Sequence, residues 1–161
     1  MKVKVKKISE GAVLPYKKYQ PDFCYDVVAT SCEEVAPNVY KYGLGLAFQI
    51  ERGIERITDI GKIEEWYVHC SRLNLSIDFR PRSSVWQTGM VLSNCTGTID
   101  ELYTGEVSAV FYHIMPNMPK YEVGDRIGQI KIGVTFPIEF NEVEELDKTS
   151  RGDGGYGSTG R

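Results

Sequence analysis

With 161 residues, 42% apolar and 25% charged, the chain has the size and composition of one globular domain with its own core. A net charge of −3 argues against a general nucleic-acid binder, which carries a basic face, and no apolar run approaches the ~20 residues that span a bilayer. Cys24, Cys32, Cys70 and Cys95 are scattered without a CxxC pair, so they read as reduced, buried thiols of a cytosolic protein, with no disulfide framework or zinc site.

The opening MKVKVKKISE alternates lysine with valine, the pattern of an edge strand and not of a targeting peptide. Leu14-Pro15-Tyr16 begins a second extended piece that leads to PDFCYDVVAT. Asp26, set there among apolar neighbours, reads on its own as a carboxylate capping a local turn. Residues 39–50 are the clearest strand: Tyr40, Tyr42, Leu44, Leu46, Phe48 and Ile50 share one face, and Gly43, Gly45 and Ala47 the other. Residues 51–72 are ambiguous. Ile54, Ile57, Ile60 and Ile63 recur every third residue, Gly53 and Gly61 interrupt them, and Trp66-Tyr67-Val68 reads as strand. His69 beside Cys70 has no second pair at ligand spacing and is not read as a metal site.

Leu73, Leu75, Ile77 and Phe79 alternate again and deliver the chain to RPRSS. Arg80 and Arg82 lie on one face of that segment, suited either to phosphate oxygens or to solvated ion pairs. Residues 93–106, SNCTGTIDELYTGE, lie between two apolar runs and read as the bend of a β-hairpin. Such a bend offers main-chain groups to a planar base and places Asp100, a candidate general base, close by; the same pattern also describes a plain turn. Residues 107–115 are apolar on both faces, as in a central strand, and His113 within them reads as a satisfied core or interface histidine. In RIGQIKIGV, Ile130, Ile132 and Val134 point one way and Gln129 and Lys131 the other. Residues 141–147 are acidic, and from Arg151 five of eleven residues are glycine. This tail is a flexible linker or a clamp in which Arg151, Tyr156, Ser158 and Thr159 close on a ligand.

Taken together, YDV at 25–27, RPRSS at 80–84, the TIDELYTG hairpin, DRIGQIKI at 125–132 and RGDGGYGSTGR resemble the five ordered motifs of the trimeric dUTPase family. The resemblance covers residues 14–161 and makes 51–72 an insertion between the first two motifs. It implies an all-β, distorted jelly-roll-like barrel: a domain over 1–147 and a flexible, Gly-rich C-terminal arm over 148–161 that acts as a mobile lid.

It further implies a dUTP diphosphatase, a homotrimer with active sites shared between chains, and Mg²⁺ as cofactor. By the same resemblance Asp100 is the catalytic base. Arg82, Ser83, Ser84, Gln129, Arg151, Ser158 and Thr159 bind phosphates. Asn94, Gly97, Thr98, Ile99, Tyr103 and Tyr156 bind uracil and deoxyribose, and Asp26 holds the metal through water. The chain departs from the family at Phe23-Cys24, where a small Ala-Gly pair is usual, at Leu102, where a second acid is common, and at Tyr156, usually Phe. The implied location is cytoplasmic, or the host cytoplasm for a virus-encoded chain, with no membrane or nucleic-acid partner. The alternatives are a dCTP deaminase-like enzyme of the same fold, or a nucleotide-sensing, protein-binding trimer whose contact arm is the 51–72 insertion.

Overall fold

A computed structural model describes residues 2–52 and 73–154. Within them the chain forms β1 (Lys2–Lys7), β2 (Tyr25–Val28), β3 (Ser31–Ala36), β4 (Val39–Gly43), β5 (Leu46–Glu51), β6 (Asn74–Pro81), β7 (Met90–Leu92), β8 (Gly97–Asp100), β9 (Ser108–His113) and β10 (Arg126–Thr135). A short 3-10 helix, Ser83–Gln87, follows β6. Two four-stranded sheets run β2-β10-β6-β8 and β3-β4-β9-β7, and β1 pairs with β5. All these pairings are antiparallel. The architecture is the all-β, jelly-roll-like one that the resemblance implies. Among the described residues no helix is long and apolar enough to cross a membrane.

The sheets meet through rings set edge to face. Phe111 on β9 lies 6.3 Å from Phe79 on β6, 5.9 Å from Tyr42 on β4 and 5.5 Å from Tyr121. Phe111 and Tyr42 are fully buried, each burial contributing roughly 2–3 kcal/mol.

Residues 39–50 are two strands, not one. The alternation is real, since Tyr40, Tyr42, Leu44, Leu46, Phe48 and Ile50 are all buried. The chain nevertheless leaves β4 for β5 at Gly45, whose φ of +62° lies in the left-handed region. A Cβ there would collide with the Ser9 and Thr30 hydroxyls. The predicted hairpin also changes form. Met90 pairs with His113 and Leu92 with Phe111, but the link between these strands contains β8, which crosses to the opposite sheet and pairs with β6. Ile99 packs on the core from there.

Residues 107–115 do contribute a strand, β9, flanked by β4 and β7, although its outer face carries a half-exposed Tyr112. His113 accepts or donates a hydrogen bond at the Met118 carbonyl, 2.9 Å away, as a satisfied histidine does. Of the cysteines, Cys24, Cys32 and Cys95 are free thiols, and Cys32 and Cys95 are exposed instead of buried. Both lie on outward-facing or loop positions.

The outer face of β2-β10-β6-β8 is polar. Residues directly opposed across strands share a face, and the register gives the rows Asp26–Gln129–Arg80, Lys131–Asp78–Thr98 and Gly133–Ser76–Asp100. Gln129 and Lys131 thus lie together, as the strand pattern predicts. Lys131 pairs with Asp78 at 2.9 Å, with side-chain exposures of only 17% and 15%, and the Ser76 hydroxyl donates to the same carboxylate. Burial works to raise the Asp78 pKa, but the Lys131 and Ser76 hydrogen bonds outweigh it and hold the carboxyl below the usual range. A folded-state pKa below the unfolded value gives stability that is present above the unfolded pKa and lost as pH falls through the folded one. Asp78→Asn is expected to lower stability at neutral pH by about 1–3 kcal/mol and to flatten the acid limb of the melting profile. Thermal melts across the acid range check this; an unchanged acid limb would remove Asp78 from the linkage.

Candidate active site

Asp26 is the one buried charged side chain among the described residues, 6% exposed. Its backbone is pinned on both sides: Asp26 N–H donates to the Tyr16 carbonyl at 2.7 Å, Tyr16 N–H donates back at 3.2 Å, and Gln129 opposes it on β10. The carboxylate accepts from Arg82 Nε at 3.2 Å and Gln129 Nε2 at 2.9 Å through Oδ1, and from Arg126 Nη1 at 3.1 Å through Oδ2. It is therefore not the cap of a local turn. Arg82 reaches it because β6 ends at Pro81, after which Arg82 caps the 3-10 helix in an extended conformation, with Ser83 and Ser84 next in the chain. Two guanidinium groups against one carboxylate leave the cluster positive within a chain of net charge −3. Such a cluster suits phosphate oxygens.

Sequence reasoning assigned no role to Arg126. In a regular strand residues three apart face opposite ways, which would put Arg126 behind the sheet when Gln129 is in front. A β-bulge between Arg126 and Gly128 corrects the phase, so both side chains reach Asp26. The only signal available in sequence was that Arg126 lies within the same DRIGQ motif as Gln129.

A second constellation forms at the far edge of the sheet. A cleft of about 240 Å³ is lined by Thr98, Ile99, Asp100, Tyr103, Glu106, Val107 and Ser108. Asp100 ends β8 and its carbonyl accepts from Tyr103 N–H at 3.0 Å, closing a turn. The Tyr103 side chain lies over Gly105, where a Cβ would meet its hydroxyl at 2.6 Å and the ring Cζ at 2.7 Å, and that hydroxyl donates to the Glu106 carbonyl at 2.9 Å. The Glu106 carboxylate accepts from Gly45 N–H at 2.9 Å, tying the cleft to the kink between β4 and β5. Neither Glu106 nor this tie is visible in the sequence pattern, because the partners are 61 residues apart. Asn94 is exposed on the loop before β8 and its amide lies against Gly97.

The two constellations do not meet within one chain. Asp100 and Asp26 are on the outermost strands of the same sheet, offset along it from Ser76 to Arg80. Three inter-strand spacings of ~4.8 Å and four residues of ~3.4 Å put them roughly 20 Å apart. Arg151 is also apart, its Nε donating to the Gly154 carbonyl at 2.9 Å within its own turn. Tyr156, Ser158, Thr159 and residues 53–72, with His69, Cys70 and nearly all of the expected insertion, lie outside the described residues.

No group of three metal-ligating side chains gathers among the described residues. Asp26 alone fits a metal bound through water: its two oxygens offer about four lone-pair sites, and the three donors above leave room for a water. Mg²⁺ keeps several waters and takes one or two carboxylates plus phosphates, so this donor set is compatible with it.

The molecule is thus a jelly-roll-like all-β domain with an arginine cluster around Asp26 at one edge of a sheet and a separate cleft holding the Asp100 carboxylate at the other. The dUTPase family model matches residues 67–160. The deoxyuridine 5′-triphosphate nucleotidohydrolase of Helicobacter pylori strain 26695 is 34% identical over 163 residues, covering 99% of this chain and 97% of that one. That of Nautilia profundicola is 31% identical over 163 residues, with both chains covered in full. Among solved structures, a mutant dUTPase of Staphylococcus bacteriophage 80alpha bound to dUpNHpp superposes with a TM-score of 0.72 at 20% identity, covering 99% of each chain. A mutant dUTPase from phage phi11 of S. aureus, with a coordinated structural Mg(II) ion, gives 0.65 at 18% identity, covering 92% of this chain and 100% of that one. The chain belongs to the dUTPase family.

Proposed function

We propose that the chain hydrolyses dUTP to dUMP and diphosphate as a homotrimer whose active sites are each built from more than one chain. The observation that carries this is the separation of the Asp100 cleft from the arginine cluster, far longer than a triphosphate can bridge within one subunit. Exposed apolar surface supports assembly. Val91 and Tyr112 pair across the outer face of the second sheet, and Phe136, Ile138 and Phe140 after β10 are 64%, 70% and 90% exposed.

In this reading the Asn94 amide, which both donates and accepts, reads the uracil edge together with main-chain groups of Gly97, Thr98 and Ile99. The Tyr103 ring packs against deoxyribose and leaves no room for a 2′-hydroxyl. Arg82, Ser83, Ser84 and Gln129 of another subunit hold the phosphates. Asp100 takes a proton from a water as that water attacks the α-phosphorus in line. The bond from the α-phosphorus to its bridging oxygen breaks, and diphosphate leaves with the electron pair. Mg²⁺, held through water by Asp26, supplies neutralisation of the phosphate and leaving-group charge when bound. Residues 148–161 close over the nucleotide, Tyr156 stacking on the base while Arg151, Ser158 and Thr159 engage the phosphates.

The test is diphosphate release from dUTP, dCTP, dTTP and UTP, with Mg²⁺ and with excess chelator. Release from dUTP alone, abolished by chelator, is the expected result. Ammonia from dCTP would replace the reading with a deaminase, and binding of dUTP without any product would leave a nucleotide sensor.

A further inference from the structure

We propose that Arg52 and Glu101 form a clip that positions Asp100; the proposal rests on Asp100 being the base. Glu101 is the second residue of the turn that starts at Asp100 and closes at Tyr103. The third, Leu102, is 91% exposed and anchors nothing. β8 is an edge strand, hydrogen-bonded on one side only, so its end and the turn that follows need another tether.

Arg52 provides it from the end of β5. Its Nε donates to Glu101 Oε1 at 2.6 Å and its Nη2 to Oε2 at 2.5 Å, a forked pairing that fixes orientation as well as distance. The same Nη2 donates to the Leu73 carbonyl at 2.7 Å. One guanidinium thus joins the end of β5, the approach to β6 and the turn that presents Asp100. The Arg52 hydrogen bonds hold the Glu101 carboxyl below its usual range against a smaller opposing effect of burial, with the Leu75 N–H adding to them, so the pair stays ionised at neutral pH.

A structural role alone would make this pair dispensable. Side-chain exposures of 40% and 21% place it at the surface, where ion pairs add little to stability. Orientation is different, since a misplacement of about 1 Å at a reacting group can cost on the order of 100-fold in rate. Arg52 and Glu101 are therefore positioning residues, and the departure of Leu102 from the family pattern leaves Glu101 as the turn's anchoring side chain.

The experiment compares Arg52→Ala, Glu101→Ala, the double variant and the charge swap Arg52→Glu with Glu101→Arg. Each is measured for kcat, KM, affinity for dUpNHpp and melting temperature. Each single variant is expected to lose roughly 10- to 100-fold in kcat with melting temperature, KM and analogue affinity nearly unchanged. The double variant should be no worse than either single one, and the swap should recover most of the rate. Single variants with parental kcat overturn the proposal, as do losses that multiply in the double variant. The Asp100→Asn variant is run alongside. If it stays active, the base assignment falls first; if it is dead while the clip variants are unimpaired, the clip alone falls.

Discussion

Replacing Asp100 by asparagine is expected to lower dUTP turnover by roughly 10²- to 10⁴-fold, the share a positioned general base contributes, while dUpNHpp still binds. The change is nearly isosteric and falls on an exposed side chain at a strand end, so the fold has little to lose. None of the salt bridges among the described residues engages Asp100. Its carboxylate is therefore not committed to holding the fold, in contrast to Asp26, which three donors surround. An amide in its place keeps the shape and loses the ability to take a proton from water. Diphosphate release measured beside calorimetric titration with the analogue separates chemistry from binding. A near-normal rate would remove Asp100 from the mechanism.

The second large effect is recovery, not loss. Arg82→Ala takes a guanidinium from the proposed phosphate-binding cluster and should cost about 10²-fold or more. Neither this variant nor Asp100→Asn is expected to turn over appreciably alone. Co-assembled and selected for both chains, however, they should regain about one third of the parental rate, because every mixed cyclic trimer with shared sites has one interface in three that pairs an intact Asp100 with an intact Arg82. Sites contained within single chains would regain nothing on mixing. The roughly 20 Å between the two constellations makes the first outcome the expected one. The assay needs only differently tagged chains, refolding together and purification through both tags.

The pattern of side chains carried much of this. Alternation in 39–50, 73–79 and 126–134 marked the strands that became β4, β5, β6 and β10, because a half-buried strand must alternate whatever it packs against. It could not show where the chain changes sheets. Gly45 interrupts a run whose buried face continues on both sides of the kink, so the residues looked like one element. Nor could it show that the stretch between β7 and β9 carries its own strand, since Ile99 pairs with Ile77 on β6 and packs against the core from there, far from its neighbours in sequence.

At the site, the sequence by itself determined which residue types were available: an acid before a buried valine, an Arg-Ser-Ser run, a strand glutamine, and an acid and a tyrosine after a Gly-punctuated loop. These, as ordered motifs, were enough to point to the dUTPase family. Only the tertiary structure decided who meets whom. Asp26 and Gln129 converge because the antiparallel register of β2 and β10 sets them side by side, and Arg82 reaches them from just past the end of β6. Arg126 joins them because a bulge shifts the strand's phase. Asp100 stays apart because β8 lies at the opposite edge of the same sheet. Local preference reads along the chain, whereas these contacts span 56, 100 and 103 residues and depend on sheet order, which no single stretch encodes.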